Sequence, residues 1–505
     1  MIKRGGWRAG ALLANVALIG GPVAAATLRD ALVETYKTNP VLTAARAGLR
    51  STDEGVPIAK AGARPQLSGT VGVTQSTNGI TKLDNGGRVL TGQLNVTYPL
   101  FQGGRVRNAI NAAEARVIAG RAQLRSTEGD TFTRVVSAYM DVIRDTAIVG
   151  LNKKQVDVLT TDLQASSDRF EVGDLTRTDV AQSQARLSLA RSQLATAQGN
   201  LTSSRETYRQ VIGSWPENLE PPPPLPRLPI SADEAVQVAL SNNPAIQSAT
   251  ASTQAANYDV RTQRAARLPT FSLVGGSSDN NYLGTRAQAS GFPAGSPGFD
   301  QTMSENTVGV QLSLPLYQGG LVGARVRQAQ ATENQALEQG IDVERQVIAN
   351  SRAAFAIFEA AGEAITANQQ AVSANQLALE GVRAENSAGT RTVLDVLNAE
   401  QELLNAQVAL VSAERDQYVA GFALLNAMGR AEAGNLNLDG GALYDPVANY
   451  NRVRNRVGDW SDNPAYTPQA THTTGPTPAD PDVAPLPPQS DFPSAVPPPV
   501  TPSSN

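Results

Sequence analysis

Apolar and polar residues alternate in two stretches of the chain, 88–101 and 305–317. The same alternation occurs in 65–75, and a weaker form of it in 269–277. Successive side chains of a β-strand point to opposite faces, so each stretch predicts a strand with one apolar and one polar face. Their length is close to the roughly 9–11 residues with which a tilted strand crosses a membrane. The apolar positions are Leu67, Val71, Val73, Leu90, Leu94, Val96, Tyr98, Leu100, Val308, Val310, Leu312 and Leu314.

A period of seven residues marks the later part of each half of the chain. Sustained heptads without a helix breaker are typical of coiled-coil helices. The stretch from Gly104 to about Phe170 also has helical composition, which predicts a helix of about 100 Å at 1.5 Å per residue. The heptad positions are Val180, Leu187, Leu194, Leu201, Tyr208 and Trp215 in the first half and Val396, Leu403, Leu410 and Leu424 in the second, with Gln417 as a break.

The two halves are copies of one plan. Motifs of the first half return in the second in the same order, with one longer loop in the second copy. The duplication predicts that each half contains a helix, two strands and two long helices joined by a turn. The matching motifs are NP (39–40 and 243–244), YPLFQGG and LPLYQGG (98–104 and 314–320), and RFEVGDLTRTDV and AGTRTVLDVLNAE (169–180 and 388–400).

These repeats and the chain ends predict the organisation of the protein. A basic start, a short apolar run and three alanines at 24–26 predict a signal peptide, with a membrane-anchor helix as the alternative. A run of prolines predicts an extended strap between the halves. The predicted segments are the signal peptide (1–26), the first repeat (27–215) with a β-hairpin at 64–101 and a helical hairpin at 104–215, the strap (216–229), the second repeat (230–430) with a β-hairpin at 268–317 and a helical hairpin at 320–428, a periplasmic segment (431–460) and a disordered Pro-rich tail (461–505).

Composition weighs against catalysis. The 505 residues include no cysteine, which excludes disulfides, thiol chemistry and lipidation of an N-terminal cysteine. The single histidine, His472, lies in the Pro-rich tail, away from any nucleophile or metal-ligand cluster in sequence. With a formal net charge of −4, nothing indicates a nucleic-acid partner. We therefore expect no enzyme, no cofactor and no bound structural metal.

Periodicity alone leaves simpler architectures open, namely a soluble sheet and a soluble helical rod. The predicted signal peptide indicates export, and the two β-hairpins lie about 200 residues apart. Four strands cannot close a membrane barrel within one chain, whereas several chains could pool their strands into one.

The motifs quoted above resemble those of the TolC-type outer-membrane export ducts, over roughly residues 27–450. The absence of cysteine and the segment DPVANY (445–450) fit the non-lipidated, TolC-like branch. The resemblance implies an α+β membrane protein that is internally duplicated. Its four transmembrane strands per chain would be pooled in a homotrimer into a 12-stranded β-barrel, continuous with a long coiled-coil α-barrel.

The resemblance also implies function, location and partners. It implies an exit duct in the outer membrane, surrounded by its lipid, with the helical barrel and C-terminal tail in the periplasm. A periplasmic adaptor and an inner-membrane ABC or proton-driven transporter would dock on the hairpin tips, whose residues are Gly173, Asp174, Leu175, Gly389 and Thr390. Type I protein secretion and small-molecule efflux both stay open as the transport task. A trimeric coiled-coil surface adhesin is the alternative function, although adhesins usually place their barrel strands together at the C-terminus.

Candidate gating residues lie beside the second tip. Asp395, Asn398 and Glu402 fall on one helix face, and in a trimer Asp395 would form a ring of carboxylates that can bind blocking cations. The family has a second aspartate ring where this chain has Asn398, and Glu402 would substitute in part. The family's closed-state latch maps to Arg391 and Asp179, with Thr178 beside it and Asn386 in place of a tyrosine. Solvated helix faces, with a local Arg391–Asp395 pair, are the simpler interpretation.

Overall fold

The computed structural model describes residues 27–75, 88–284, 300–438, 443–468, 470 and 472–475. The predicted signal peptide, parts of both predicted strand-connecting loops and most of the predicted tail lie outside these residues. Within the described part of the predicted tail, 461–468 has no helix or strand.

Both halves run from short helices through two strands to two long helices, but three helices precede the strands in the first half and two in the second, where the sequence predicts one in each. Among the described residues, none of the helices combines the length and the apolar character needed to cross a membrane. The first half contains α1 (Leu28–Thr38), α2 (Pro40–Asp53), α3 (Gly55–Ala61), β1 (Gln66–Gln75), β2 (Arg88–Phe101), α4 (Arg105–Glu171) and α5 (Arg177–Ile212). The second half contains α6 (Ala232–Asn242), α7 (Pro244–Ala265), β3 (Thr270–Asn281), β4 (Thr302–Ser313), α8 (Leu321–Ser387) and α9 (Val393–Ala427), and α10 (Ala448–Val453) follows.

The four strands form one antiparallel sheet in the order β1-β2-β3-β4. The register places Leu67 opposite Val96, Val96 opposite Gly275, and Gly275 opposite Val308. Directly opposed residues lie on the same face, so the apolar positions of all four strands share one face. Most of these side chains are exposed, Val308 to 86%. Next to the helices the sheet therefore presents an apolar surface that this single chain leaves uncovered, whereas towards the loop between β3 and β4 the same face is polar at Ser277, Asp279 and Asn306.

The repeated Asn-Pro dipeptide joins helix ends in both halves. Asn39 accepts a hydrogen bond from Val41 N at 2.8 Å, which caps α2, and its amide donates to Val211 O at the end of α5. Asn243 does the same at the start of α7, where its amide donates to Ala427 O at the end of α9. The following proline fits the first helical position because it has no N–H to satisfy there.

The largest buried cluster lies where these helix ends meet, in the middle of the molecule. Phe132, Tyr139, Tyr208 and Leu424 are fully or almost fully buried in it. The Pro-rich strap crosses this region, because the Tyr139 hydroxyl donates to Glu220 O at 2.7 Å and the Tyr418 hydroxyl donates to Pro223 O at 2.9 Å. This region, where the ends of α5 and α9 meet the starts of α2 and α7, is called the waist below. It contains the main apolar core of the protein.

Beyond the waist, α4 with α5 and α8 with α9 form two long antiparallel hairpins. Leu187 and Leu201 of the predicted first heptad are buried as expected. In the second hairpin the predicted position Leu424 is fully buried, but nearer the tip the buried leucines are Leu397 and Leu404, each one residue after the predicted position. Most of α8 is not buried, and its buried residues are Val326, Val347, Ser351 and Leu379. The helices thus retain large surfaces for contacts outside this chain.

Candidate functional site at the hairpin tips

The first hairpin turns at Gly173, whose φ of 80° is favourable for glycine and strained for other residues. Asp174 closes the turn by accepting from Arg169 Nε at 2.7 Å. Thr176 then begins α5 as its N-cap, and Asp179 accepts from the Thr176 hydroxyl at 2.7 Å and from the Thr176 amide at 3.0 Å. This reciprocal cap explains the Thr-x-x-Asp spacing of the motif.

The second tip repeats this geometry around Gly389, with a φ of 79°. Thr390 donates from both its amide and its hydroxyl to Glu385 O, each at 3.0 Å. Thr392 caps α9, and Asp395 accepts from the Thr392 hydroxyl at 2.7 Å and from its amide at 3.0 Å. The duplicated sequence therefore produces two nearly identical turns.

The residues of the predicted latch bind on their own hairpins within this chain. Arg391 Nε donates to Glu385 Oε2 at 2.8 Å. The amide of Asn386 donates to the Arg391 carbonyl at 2.8 Å, so this residue fastens the turn itself. Asp179 is occupied by the Thr176 cap, and Thr178 beside it is exposed. An additional contact between Arg391 and Asp179 stays a prediction.

The residues of the predicted ring differ in their surroundings. The Thr392 hydroxyl and amide lower the pKa of Asp395, so this carboxylate is ionised at neutral pH in the single chain. Glu402 is exposed on α9. Asn398 is exposed too, but its side-chain oxygen accepts a hydrogen bond from Arg186 Nη2 of α5. The position at which the chain departs from the family pattern therefore links the two hairpins.

A buried acidic pair behind this face was not predicted. The Glu400 side chain is only 2% exposed, and its Oε1 accepts from Arg383 Nη2 of α8 at 2.6 Å. Its carboxyl group also contacts that of Asp162 on α4. Among the described residues, Glu400 Oε2 and Asp162 Oδ2 are buried without a hydrogen-bond donor. A single proton shared by the two carboxyl groups would supply that donor.

Burial sets the protonation of this pair. Desolvation raises the pKa of Glu400 to about 7, with the Arg383 hydrogen bond acting in the opposite direction. Desolvation also raises the pKa of Asp162. Because Leu397 and Leu404 flank Glu400 at helical spacing, its position on the buried stripe could have been found from sequence.

Across the described ranges of the chain, no group of three or more histidine, cysteine, aspartate or glutamate side chains is arranged to hold a metal ion.

Comparisons with known proteins connect this geometry to a family. The family model described as outer membrane efflux protein matches residues 31–214 and 235–430, which are the two halves of the duplication. The outer membrane efflux protein BepC of Brucella suis biovar 1 (strain 1330) is 36% identical over 448 residues, which cover 89% of this chain and 95% of the relative. The outer membrane protein TolC of Escherichia coli (strain K12) is 27% identical over 436 residues, which cover 83% and 86%.

Solved structures share the architecture. The outer membrane protein VceC of Vibrio cholerae aligns with a TM-score of 0.67 at 22% identity, covering 80% of this chain and 96% of that protein. At this level of identity the likeness establishes a common fold.

Proposed function

This chain belongs to the outer membrane efflux protein family, and we propose that three copies of it assemble into one closed duct. Family membership confirms the resemblance inferred from the sequence motifs, the outer-membrane location and the function as an exit duct that is not an enzyme. The predicted fold class, an internally duplicated chain with four strands and long coiled-coil helices, is confirmed as well. The copy number, the gate and the partners are our proposals.

The unpaired edges of the sheet are the main observation in favour of the proposed assembly. Within the described part of the chain, β1 and β4 each pair with a strand on one side only. Unpaired backbone groups are costly in a bilayer, so a membrane sheet must close on itself. Four strands are too few to do so, whereas two chains would supply eight and three would supply twelve, both within the range of known membrane barrels. The resemblance to the TolC-type ducts favours three. The β4 edge of one chain would then pair with the β1 edge of the next.

The helices support the same assembly. α8 runs over 67 residues and is mostly exposed along its length. Apolar side chains such as Ile357 and Leu377 lie on its open surface. We infer that neighbouring chains cover part of this surface and that the rest lines the duct.

The tips form the proposed gate and docking surface. Asp395, Asn398 and Glu402 would lie around the axis at the constriction. Arg391 and Asp179, with Thr178 and Asn386, would form the latch of the closed state. The turns at Gly173, Asp174, Leu175, Gly389 and Thr390 would contact a periplasmic adaptor, behind which an ABC or proton-driven inner-membrane transporter supplies the cargo.

For the cargo we favour small-molecule efflux over protein secretion. The 36% identical relative carries the word efflux in its name. A deletion strain should then become sensitive to toxic small molecules while it still secretes its proteins. Loss of a secreted protein without such sensitivity would favour type I secretion instead.

The assembly can be tested with engineered cysteines, because the native chain contains none. Paired cysteines scanned along β1 and β4 should produce covalent dimers and trimers on non-reducing gels of outer membranes. As a control, cysteines at Thr91 and Asn280, which oppose each other on β2 and β3, should cross-link only within one chain. Monomers throughout the scan, with no SDS-resistant trimer in unheated samples, would contradict the proposal and leave an adhesin or another architecture to be considered.

A further inference from the structure

The C-terminal segment follows α2 and α3 towards the sheet. Asn449 donates to the buried Asp53 at 2.8 Å near the end of α2. Further along, Lys60 Nζ donates to Arg454 O at 3.0 Å. Because α3 leads into β1, the segment reaches the edge of the sheet at which the strands join the helices.

The last contact of this series lies at the sheet itself. Arg64 Nη1 donates to Arg456 O at 2.8 Å, and β1 begins only two residues later, at Gln66. Backbone geometry allows about 3.3–3.6 Å per extended residue, so Arg456 lies within a few residue lengths of the first strand. This part of the C-terminal segment is therefore held at the periplasmic edge of the proposed barrel.

A tight turn at 457–461 follows and is fastened by Arg456. Arg456 Nε donates to Ser461 Oγ at 3.0 Å, and its Nη2 donates to Ser461 O. The Ser461 hydroxyl in turn donates to Gly458 O at 2.9 Å, and Asn463 accepts from Arg452 at 3.2 Å. The side chains at the tip of this turn are not packed on the chain: Val457 is 70% exposed and Trp460 is 97% exposed.

Other large apolar side chains are exposed at the same edge. Phe101 ends β2, and Tyr317 follows the end of β4 with 88% of its surface exposed. Ile58 on α3 is also exposed. Aromatic residues at the ends of membrane strands form girdles at the level of the lipid headgroups, where a ring contacts acyl chains and its polar group contacts water. The turn adds an indole to this edge from outside the sheet.

We propose that the turn at 457–461 inserts Trp460, together with Val457, into the headgroup region of the periplasmic phospholipid leaflet. The inference rests on the proposed membrane barrel, whose apolar face is continuous with the edge at which the turn lies. Tryptophan suits this location because its ring is apolar and its N–H still finds a partner at the wet interface. The C-terminal segment would thus attach the duct to the membrane outside its barrel.

Fluorescence of single-tryptophan variants tests this proposal. The chain has three tryptophans, Trp7, Trp215 and Trp460. A variant with Trp7→Phe and Trp215→Phe retains Trp460 alone. After reconstitution into phospholipid vesicles, its emission should shift to shorter wavelength, and phospholipids brominated on their acyl chains should quench it.

Two matched variants interpret the result. With Trp7→Phe and Trp460→Phe, the remaining Trp215 lies at the waist beside Arg209, the length of α2 and α3 away, or about 30 Å at 1.5 Å per residue. Its emission should not be quenched. With all three tryptophans replaced by phenylalanine and Val308→Trp added, the probe lies on the apolar face of β4 and should be quenched by the same lipids.

Each outcome decides between the proposals. Quenching of both Trp460 and the Val308→Trp probe supports the lipid contact. Quenching of the β4 probe without quenching of Trp460 overturns the lipid contact and leaves the barrel intact. If the emission of Trp460 is then shifted to shorter wavelength in spite of this, a neighbouring chain covers the turn. Absence of quenching at both positions overturns the lipid contact and the membrane barrel together.

Discussion

The buried carboxyl group of Glu400 lies between the two helical hairpins, where desolvation disfavours its charged form and Arg383 favours it. The carboxyl groups of Glu400 and Asp162 meet between the two hairpins, with Arg383 as the cation that faces them. The pKa of Glu400 is raised from 4.5 to about 7, chiefly by desolvation. A raised pKa means that the folded state holds the proton more tightly than the unfolded chain does. The stabilisation is therefore full below pH 4.5 and is lost as the pH rises through about 7.

We predict that the contact between the hairpins loosens as the pH is raised from 6 to 8. Amide hydrogen exchange of the segment around Leu397 and Leu404 should become faster over this range, once corrected for the intrinsic pH effect. In Glu400→Gln, which cannot ionise, the pH dependence should weaken and leave only the titration of Asp162, whose pKa desolvation also raises. Glu402→Gln, two residues away on the exposed face, is the matched control and should behave as the wild type. The same pH dependence in Glu400→Gln would contradict the assignment.

Asn398 permits a second prediction at the residue scale. Replacing Asn398 by Asp restores the carboxylate of the family pattern and places it against Arg186, which already donates to this position. Position 398 is exposed and Arg186 is only partly buried, so we expect a gain of at most about 1 kcal/mol. Local hydrogen exchange of the first turns of α9 should slow at low salt and return towards the wild-type rate at high salt. The gain should vanish when Arg186→Gln is added, and a gain that survives this change would exclude the ion pair.

At the scale of the elements, the asparagines of the Asn-Pro motif each perform two tasks. Asn39 caps α2 with its oxygen and binds the end of α5 with its amide. Asn39→Ala should lower the free energy of local unfolding by about 1 kcal/mol for the cap, with a similar further loss for the buried amide bond. Asn39→Asp keeps the capping oxygen and avoids the first loss, but it should show at least the second, because its buried carboxylate would face Val211 O. Hydrogen exchange of the first turn of α2 measures both effects.

The duplication supplies an internal repeat of this experiment. Asn243 makes the corresponding bonds to Ala245 N and Ala427 O. Asn243→Ala and Asn243→Asp should therefore reproduce the same two steps at the start of α7. If only one of the two asparagines lowered the free energy of local unfolding when replaced, the two motifs would be equivalent in sequence but not in their contribution to stability.

The elements also show what the sequence can and cannot predict. β2 was predicted at its observed bounds, 88–101, because its alternation is complete. β4 ends at Ser313, before the predicted 317, because Pro315 has no N–H for a ladder although the apolar alternation continues beyond it. β3 had a weak pattern because Gly275 and Gly276 supply no side chains, yet it extends to Asn281 through its pairing with β2. Partners in space, rather than local periodicity, determine these ends.

In the candidate site, too, local contacts could be predicted from the sequence and contacts between distant residues could not. The caps at Thr176 and Thr392 follow from spacing, because a threonine and an aspartate three residues apart satisfy each other locally. The contact between Glu400 and Asp162 joins residues far apart in the chain, so nothing local indicates it. Near the tip the buried stripe is shifted by one residue to Leu397 and Leu404 for a related reason, since each has an apolar neighbour, Val396 or Leu403, that competes for the inner face.

At the scale of the whole molecule, the central prediction concerns Arg391 and the closing of the duct. Within one chain its guanidinium binds only the exposed Glu385 among the contacts described, and water screens a pair of this kind. Losing that pair should not open a gate formed by three chains. If Arg391 also holds Asp179 across hairpins in the closed trimer, Arg391→Ser should raise the single-channel conductance in planar bilayers, whereas Glu385→Gln, which breaks only the local pair, should leave it unchanged.

A double variant tests whether Arg391 and Asp179 act through one contact. Asp179→Asn weakens the cap of α5 as well as any latch, so its own effect on conductance is ambiguous. When two residues act through one contact, however, removing the second adds nothing once the first is gone. Arg391→Ser with Asp179→Asn should therefore conduct no more than Arg391→Ser alone. Strictly additive increases in conductance would show that the two residues do not act through one contact. An unchanged conductance in Arg391→Ser would show that Arg391 only stabilises the turn and has no part in the gate.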